Sequence, residues 1–335
     1  MKHKVLILGT LGEFTELVRK AKARGYETIV CDGYPNGVAR EYADKDYTIP
    51  VTDIDAIAQL CREEGVDGII TSFSDLLLEC MTKIADKAGL PCYLKPEQLP
   101  WYRDKFACRE VLEKLGLPTP GFRKISVDLL KKGTEDEIRK SVSDLQYPLI
   151  SKPLDKYGSR GIFIIHDQNE IRKKALQTVE YTNSQEILIE EYNDGYEFNM
   201  MTWVTDGRVN IISIADREKT EAEEGMLPIS TRNVYPSRFL SDVERDAADV
   251  LQRYIQYTGQ TEGALSMQFF WKPGKGIQVC EIAGRFFGYE HELTDMVYGF
   301  QIEELLLDYL YEKEKIQEMF AQHDIHIPQK YGAVL

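Results

Sequence analysis

Three short apolar runs in the first hundred residues, 5–8, 28–31 and 68–71, alternate with stretches of helical spacing. This alternation restricts the fold more than any other feature of the chain. Phe14, Leu17, Val18 and Ala21 recur at intervals of three and four, so 13–24 is predicted to be an amphipathic helix that Gly25 stops. Residues 54–64 repeat the pattern, and Ser74 is placed to cap a further helix that Gly89 closes before Pro91. A β-α-β-α order builds a parallel sheet with right-handed crossovers. Ligands of such sheets bind at the carboxyl ends of the strands, where Asp32, Ser72 and Asp75 fall. Gly9-Thr10-Leu11-Gly12 is an incomplete dinucleotide fingerprint, because residue 11 is Leu and Phe14 follows. A tight strand-to-helix turn without a nicotinamide site is therefore expected.

The rest of the chain changes character twice. Residues 95–100 read as a linker, and a helix over 103–115 is stopped by Gly116-Leu117-Pro118. A smaller unit follows, with strands near 122–126, 148–152, 161–165 and 186–190 and helices over 134–144 and 168–180. Beyond Gly195 the strands lengthen, to 196–205, 208–215, 262–271 and 276–283, with helices over 241–257 and 301–313. Asp206-Gly207 and Gly274-Lys275-Gly276 make tight turns between strand pairs, which predicts an antiparallel sheet. The expected domains are 1–100, 101–190 and 191–335.

Composition excludes several classes of function. With 43% hydrophobic residues over 335 positions, the chain can bury a core and is not disordered as a whole. A net charge of −14 repels phosphate backbones and anionic lipid, so neither nucleic acid nor a membrane is an expected partner. No apolar run approaches the roughly 18 residues of a spanning helix, and the first run is too short for a signal peptide. Cysteines 31, 61, 80, 92, 108 and 280 are scattered without a paired spacing, which predicts reduced thiols and a cytoplasmic protein. The histidines at 3, 166, 291, 323 and 326 show no ligand spacing.

Three stretches carry chemistry. Tyr147-Pro148-Leu149-Ile150-Ser151-Lys152-Pro153 delivers a lysine at the end of an apolar strand, and Gly158-Ser159-Arg160-Gly161 follows as a loop whose amides can surround an anion. Ile187-Leu188-Ile189-Glu190-Glu191-Tyr192-Asn193 ends a strand in two carboxylates, and Glu197 lies just beyond the Asp194-Gly195 turn. Gln268 and Glu281 fall on facing positions of neighbouring strands, both oxygen donors suited to Mg2+, with Arg285 following as a planar fork for phosphate or carboxylate.

These stretches, in this order, resemble the ATP-grasp superfamily, in the branch of the carbamoyl-phosphate-synthase large chain and biotin carboxylase that includes stand-alone amino-acid ligases. Asp104-Lys105 and Gly116-Leu117-Pro118-Thr119-Pro120-Gly121 resemble that family's opening segment. The resemblance implies an α/β and α+β chain: a Rossmann-like pre-domain, a small lid subdomain and a larger antiparallel-sheet subdomain, with ATP between the last two. It implies Lys105 and Lys152 on the ATP phosphates, Gly158, Ser159, Arg160 and Gly161 as the covering loop, Glu190, Glu191 and Asn193 as the adenine hinge, mostly through backbone, and Glu197 on the ribose. It also implies Gln268 and Glu281 as ligands of Mg2+, which Mn2+ can replace, and Arg285 on the transferring phosphoryl group or the substrate carboxylate. The usual Glu-x-Asn-x-Arg pattern reads Glu281-Ile282-Ala283-Gly284-Arg285 here, and Ala283 cannot ligate a metal.

The activity so implied is ATP-dependent activation of a small carboxylate as an acylphosphate, for attack by an amine or a thiol. An ATP-binding module of the same fold without turnover is the alternative, and a nicotinamide-dependent dehydrogenase stands third. Around the substrates, Arg217, Lys219 and Arg232 are candidates for a carboxylate clamp, Asp75 and Glu79 for an amine site, and Gly288-Tyr289-Glu290-His291 for the lining of the acceptor pocket. A homodimer is one assembly that the resemblance implies, with no interface legible in the residues.

Overall fold

The computed structural model describes residues 2–155, 160–221, 228–288 and 290–334. The amino-terminal unit runs β1 (Lys4–Leu8), α1 (Thr15–Ala23), β2 (Glu27–Cys31), β3 (Lys45–Tyr47), α2 (Ile54–Glu64), β4 (Gly68–Ile70) and α3 (Asp75–Ala88). Its strands form a parallel sheet in the order β3-β2-β1-β4. β1, β2 and β4 are apolar because helices cover both faces of such a sheet. The short β3, Lys45-Asp46-Tyr47, has no apolar run and escaped the periodicity. Thr10 donates through N and Oγ1 to Asp32 Oδ2 at 3.1 and 3.2 Å, so the carboxylate at the end of β2 closes the first turn. Gly9 sits there at φ +117°, where an added Cβ would lie 2.5 Å from the Phe14 ring.

Two helices connect this unit to the rest, α4 (Leu99–Arg103) and α5 (Lys105–Lys114). The single helix expected over 103–115 breaks at Asp104, whose side chain accepts from the amides of Phe106 and Ala107 at 2.8 and 3.2 Å. A carboxylate cap starts a new helix by satisfying amides that otherwise have no partner.

The middle unit contains β5 (Phe122–Ser126), α6 (Val127–Lys132), α7 (Glu135–Ser141), β6 (Leu149–Pro153), β7 (Phe163–Ile165), α8 (Ile171–Val179) and β8 (Glu186–Glu191). Its antiparallel sheet, β5-β8-β6-β7, packs on the helices around Ile125, Leu149, Ile165, Ile187 and Ile189. This apolar cluster is separate from the main core. The last unit runs β9 (Tyr196–Thr205), β10 (Arg208–Lys219), β11 (Ser230–Tyr235), α9 (Leu240–Thr258), β12 (Gly263–Lys272), β13 (Gly276–Ala283), α10 (His291–Tyr298), α11 (Ile302–Tyr311), α12 (Glu314–Ala321) and β14 (Gly332–Val334). Its sheet order is β13-β12-β9-β10-β11-β14. The two terminal units share one core, in which Tyr93 packs edge-on against Trp203 at 6.1 Å and donates to Gly284 O at 3.1 Å. Among the described residues, no helix is long and apolar enough to cross a membrane. The cysteines carry no disulfide.

The geometry at Gly9 makes a direct prediction. Gly9→Ala combines a left-handed backbone with a ring clash and should cost about 1–3 kcal/mol, read as a lowered midpoint in denaturant unfolding.

Candidate active site

The site lies where the middle unit faces the six-stranded sheet, and a buried guanidinium organises it. Arg109 projects from α5 one turn beyond Lys105. It donates through Nε to Glu190 Oε1 of β8, through Nη1 to Val279 O and through Nη2 to Cys280 O of β13, each at 2.8 Å. Glu190 also holds Lys152 of β6 in an ion pair. Burial alone would raise the Glu190 carboxyl, but Arg109 and then Lys152 outweigh it and hold the pKa at about 2. The resemblance put Glu190 in the adenine hinge, mostly through backbone. Its backbone pairs with Phe122 and Ile150 in the ladders of β5 and β6, and its carboxylate is the internal counter-ion of two cations.

The crossing from β8 to β9 follows directly. Glu191 accepts from the amides of Gln146 and Gly121 at 2.9 and 3.2 Å, and Asn193 Oδ1 accepts from Gly195 N at 2.8 Å while its amide donates to Gln278 of β13. Asn193, through Gln278, ties this crossing to the large sheet, whereas Glu191 braces the middle unit's own loops.

Gln268 and Glu281 face each other across β12 and β13 as expected. The register then moves to Phe269 opposite Val279, so Cys280 is an inserted bulge residue. A bulge interrupts the alternation and re-aims the side chains around it. Glu281 shares a narrow cleft with Lys105, Asp104, Arg103, Asp75 and Cys280. Burial lowers the Lys105 pKa, Glu281 opposes that change, and the like charge of Lys152 adds to it. Burial pushes the Cys280 thiol up to about 11, with Lys152 pulling against it.

Glu197 and Arg217 oppose each other in register on β9 and β10. The Glu197 carboxylate meets Arg217 at 3.2 Å and Lys219 at 3.0 Å, and it accepts from the Gln268 amide. With Gln268 Nε2 committed to Glu197, the other atom of that amide, its carbonyl oxygen, is the donor available to a cation. No group of three His, Cys, Asp or Glu side chains among the described residues could hold a metal ion. One carboxylate and one amide oxygen nevertheless fit Mg2+, which is commonly held by one or two carboxylates together with substrate phosphates. Ala283 is buried and adds no donor.

Several substrate candidates already have partners within the chain. Asp75, expected near an amine, accepts Arg285 Nε and Nη2 at 3.1 and 2.9 Å, so the pre-domain holds the fork expected on phosphate. Glu79 is taken by Arg103 at 3.2 Å and Lys83 at 2.6 Å. Arg232 pairs in register with Glu218, one residue out of phase with Arg217, and bonds Glu218 at 2.6 Å on the opposite face of the sheet. His291 does not line an open pocket: it is buried, bonded to Glu303, and packed on Phe73 at 4.7 Å. Phe73 itself has φ +70° at the end of β4, a strain of the kind that collects at functional sites. Gly158 and Ser159 lie outside the described residues. Arg160 is exposed beside Gly161, where φ is +74° and an added Cβ would lie 2.6 Å from Tyr181.

The residues missed from sequence are Arg109 and Cys280, and Glu290 was named only as part of the stretch expected to line the acceptor pocket. Arg109 had a signal, since four residues after Lys105 it shares a helix face with it. Glu290 is fully buried and accepts from Asn199 and Asn233 amides at 2.6 and 2.8 Å and from the Tyr235 hydroxyl.

This arrangement of three units is the ATP-grasp fold, and comparison with known proteins agrees. The family described as the ATP-binding domain of the carbamoyl-phosphate synthase L chain matches residues 104–308, and the chain belongs to it. The carbamoyl phosphate synthase large chain of Clostridium perfringens strain SM101 is 25% identical over 272 residues, 80% of this chain and 24% of that one. The formate-dependent phosphoribosylglycinamide formyltransferase of Sulfolobus acidocaldarius is 26% identical over 187 residues, 55% of this chain and 44% of that one. The chain thus spans about a quarter and under half of the lengths of these two relatives. Among solved structures, phosphoribosylglycinamide synthetase from Anaerococcus prevotii has a TM-score of 0.78 at 20% identity, covering 99% of this chain and 80% of that one. The L-amino acid ligase from Bacillus licheniformis has a TM-score of 0.77 at 18% identity, covering 99% and 79%.

Two expectations follow from the buried triad. Arg109→Met leaves Glu190 with less compensation and should destabilise the chain by about 3–5 kcal/mol in equilibrium unfolding. The folded Glu190 pKa lies below its ordinary value of 4.5, so its contribution is present above that pH and lost as pH falls toward about 2. Glu190→Gln should flatten the acid limb of a stability-against-pH curve in that window.

Proposed function

We propose that the protein is an ATP-dependent ligase that activates a small carboxylate as an acylphosphate for attack by an amine, releasing ADP and phosphate. The observation that carries this reading is the convergence of Lys105, Lys152 and Glu281, with Gln268 facing Glu281, between the middle unit and the large sheet. A carboxylate and a triphosphate repel each other, so a site joining them has to supply fixed positive charge.

Lys105 and Lys152 bind the phosphates, with Lys152 moving from Glu190 to do so. Arg160 and Gly161, with Gly158 and Ser159, form the loop over them. Backbone groups of Glu191–Asn193 take the adenine edge, and Glu197 orients the ribose. Gln268 and Glu281 hold Mg2+, with Mn2+ able to substitute; the metal supplies charge neutralisation on the phosphates. Asp75 orients Arg285, whose fork binds the carboxylate or the phosphoryl group. The middle unit closes as a lid, because an acylphosphate exposed to water hydrolyses. A homodimer and a cytoplasmic location complete the proposal, the latter in keeping with cysteines free of disulfides.

Two observations favour a second reading, an ATP-binding module without turnover: Ala283 removes a metal donor, and Arg285 is already committed to Asp75. ADP release decides between them. Mg2+-ATP is supplied with a panel of amino acids and other small carboxylates, singly and in pairs with amines. Turnover should appear with particular pairs and fall about 10²–10³-fold in Lys152→Ala and Glu281→Ala. Calorimetric ATP binding without release under any pair would establish the module instead.

A further inference from the structure

Every buried carboxylate in the described structure but one has a cation beside it. Glu190 has Arg109 and Lys152, and Glu197 has Arg217 and Lys219. Asp216 has Arg238 at 3.3 Å, Glu303 has Lys20 at 3.5 Å, and Asp308 has Arg24 at 2.6 Å. The exception is Glu290, whose residue is 0% exposed. Among the described residues no Lys, Arg or His lies within ion-pair distance of it, and its bonds come from neutral donors, Asn199, Asn233 and Tyr235. Arg217 acts on it only from further away, being bound to Glu197.

The surroundings of Glu290 are also short of donors. Asn199 and Asn233 each give their amide nitrogen to it, and neither Asn199 Oδ1 nor Asn233 Oδ1 meets a hydrogen-bond donor although both are buried. An unmet buried acceptor is costly, and a buried carboxylate without a cation more so. One buried negative charge and two orphan carbonyl oxygens ask for a group that is positive and rich in N–H donors. The place is also right for a substrate. Asn199 stands in register directly between Gln268 and Ala215, and Asn233 stands opposite Arg217. The cluster therefore shares a sheet face with Gln268, Glu197 and Arg217, one strand across from Gln268.

We propose that Glu290, Asn199 and Asn233 form the subsite for the amine substrate, which enters as a primary alkylammonium. This rests on the ligase reading and replaces Asp75 and Glu79, which the structure commits to arginine and lysine. The ammonium gives one proton to the Glu290 carboxylate, and the freed lone pair forms the C–N bond as the bond from the acyl carbon to the phosphate oxygen breaks; the second nitrogen proton leaves with the departing phosphate, which gives the neutral amide. Burial, against the Asn199 bond and the Arg217 charge, pushes the Glu290 carboxyl up to about 7, which suits it to take that proton.

The test is a calorimetric titration of the full chain with ethylammonium, with 1-propanol as the uncharged control of similar size. Ethylammonium should bind and 1-propanol should not. Affinity for ethylammonium should fall at least tenfold in Glu290→Gln and at least threefold in Asn233→Ala, which provides the same readout if the first variant does not fold. Glu290→Gln should bind ATP like the parent and melt no lower, because it removes an uncompensated buried charge; a purely structural carboxylate would lower the midpoint. No ethylammonium binding by the parent, or unchanged affinity in both variants, overturns the proposal. The ligase reading fails separately. Hydroxylamine-trapped acylphosphate without ethylammonium binding keeps the ligase and removes the subsite, whereas ethylammonium binding without ADP release keeps the subsite and removes the ligase.

Discussion

The position of the charged groups proposed to act on ATP depends on one guanidinium. Arg109 is buried, and a buried arginine is tolerable only where its donors meet acceptors and its charge meets a counter-charge. Here the acceptors are a carboxylate of β8 and two consecutive carbonyls of β13, so the side chain sets the spacing of three elements at once. Lys105 begins the helix that carries Arg109, Lys152 shares the carboxylate that Arg109 holds, and Glu281 follows the second carbonyl. The three charged groups proposed to act on ATP are thus each within a residue or a turn of the same clamp. It is made of charge and hydrogen bonds, where shape specifies more than apolar contact does.

Across the large sheet the register arranges the polar groups in order. Glu281 and Gln268 lie at the β13–β12 side, Glu197 and Asn199 on β9, Arg217 on β10, and Asn233 and Tyr235 on β11. The bulge at Cys280 is what lets an apolar strand present a carboxylate here. Ala283 departs from the usual pattern, and the pre-domain contributes Asp75 close by, through Arg285. The site is therefore not the property of the antiparallel sheet alone but needs the end of a parallel strand from a different unit.

Much of this was legible in the residues, and the limits follow physical lines. The β-α-β-α order and the strands at 122–126, 196–205 and 276–283 were legible because apolar periodicity is a local signal. The facing of Gln268 and Glu281 followed from a short turn between two strands. What escaped were elements without periodicity, such as β3 and β14, and the break at Asp104, where a cap outweighed continuing helical spacing. Ion-pair choices escaped too. Nothing local distinguishes Asp75, bound to an arginine 210 residues later, from an exposed acid at a strand end. Arg232 looked like part of a clamp, and one residue of strand phase put it on the other face. Glu290 lay inside the stretch expected to line the acceptor pocket, but nothing in its local sequence marks it as the buried carboxylate without a cation.

The separate apolar cluster of the middle unit has a consequence for exchange with solvent. Because Ile125, Leu149, Ile165, Ile187 and Ile189 pack among themselves and not into the main core, this unit can swing away with its own packing unbroken. Opening would break the Arg109–Glu190 pair and the Phe106–Phe122 ring contact, while the Lys152–Glu190 pair, internal to the unit, would travel with it. Such a motion would expose less hydrocarbon than unfolding and so carry a smaller heat capacity, with an ionic-strength dependence from the one ion pair it releases. If the middle unit opens as proposed, the Arg109–Glu190 pair is the contact whose strength sets how often it does so.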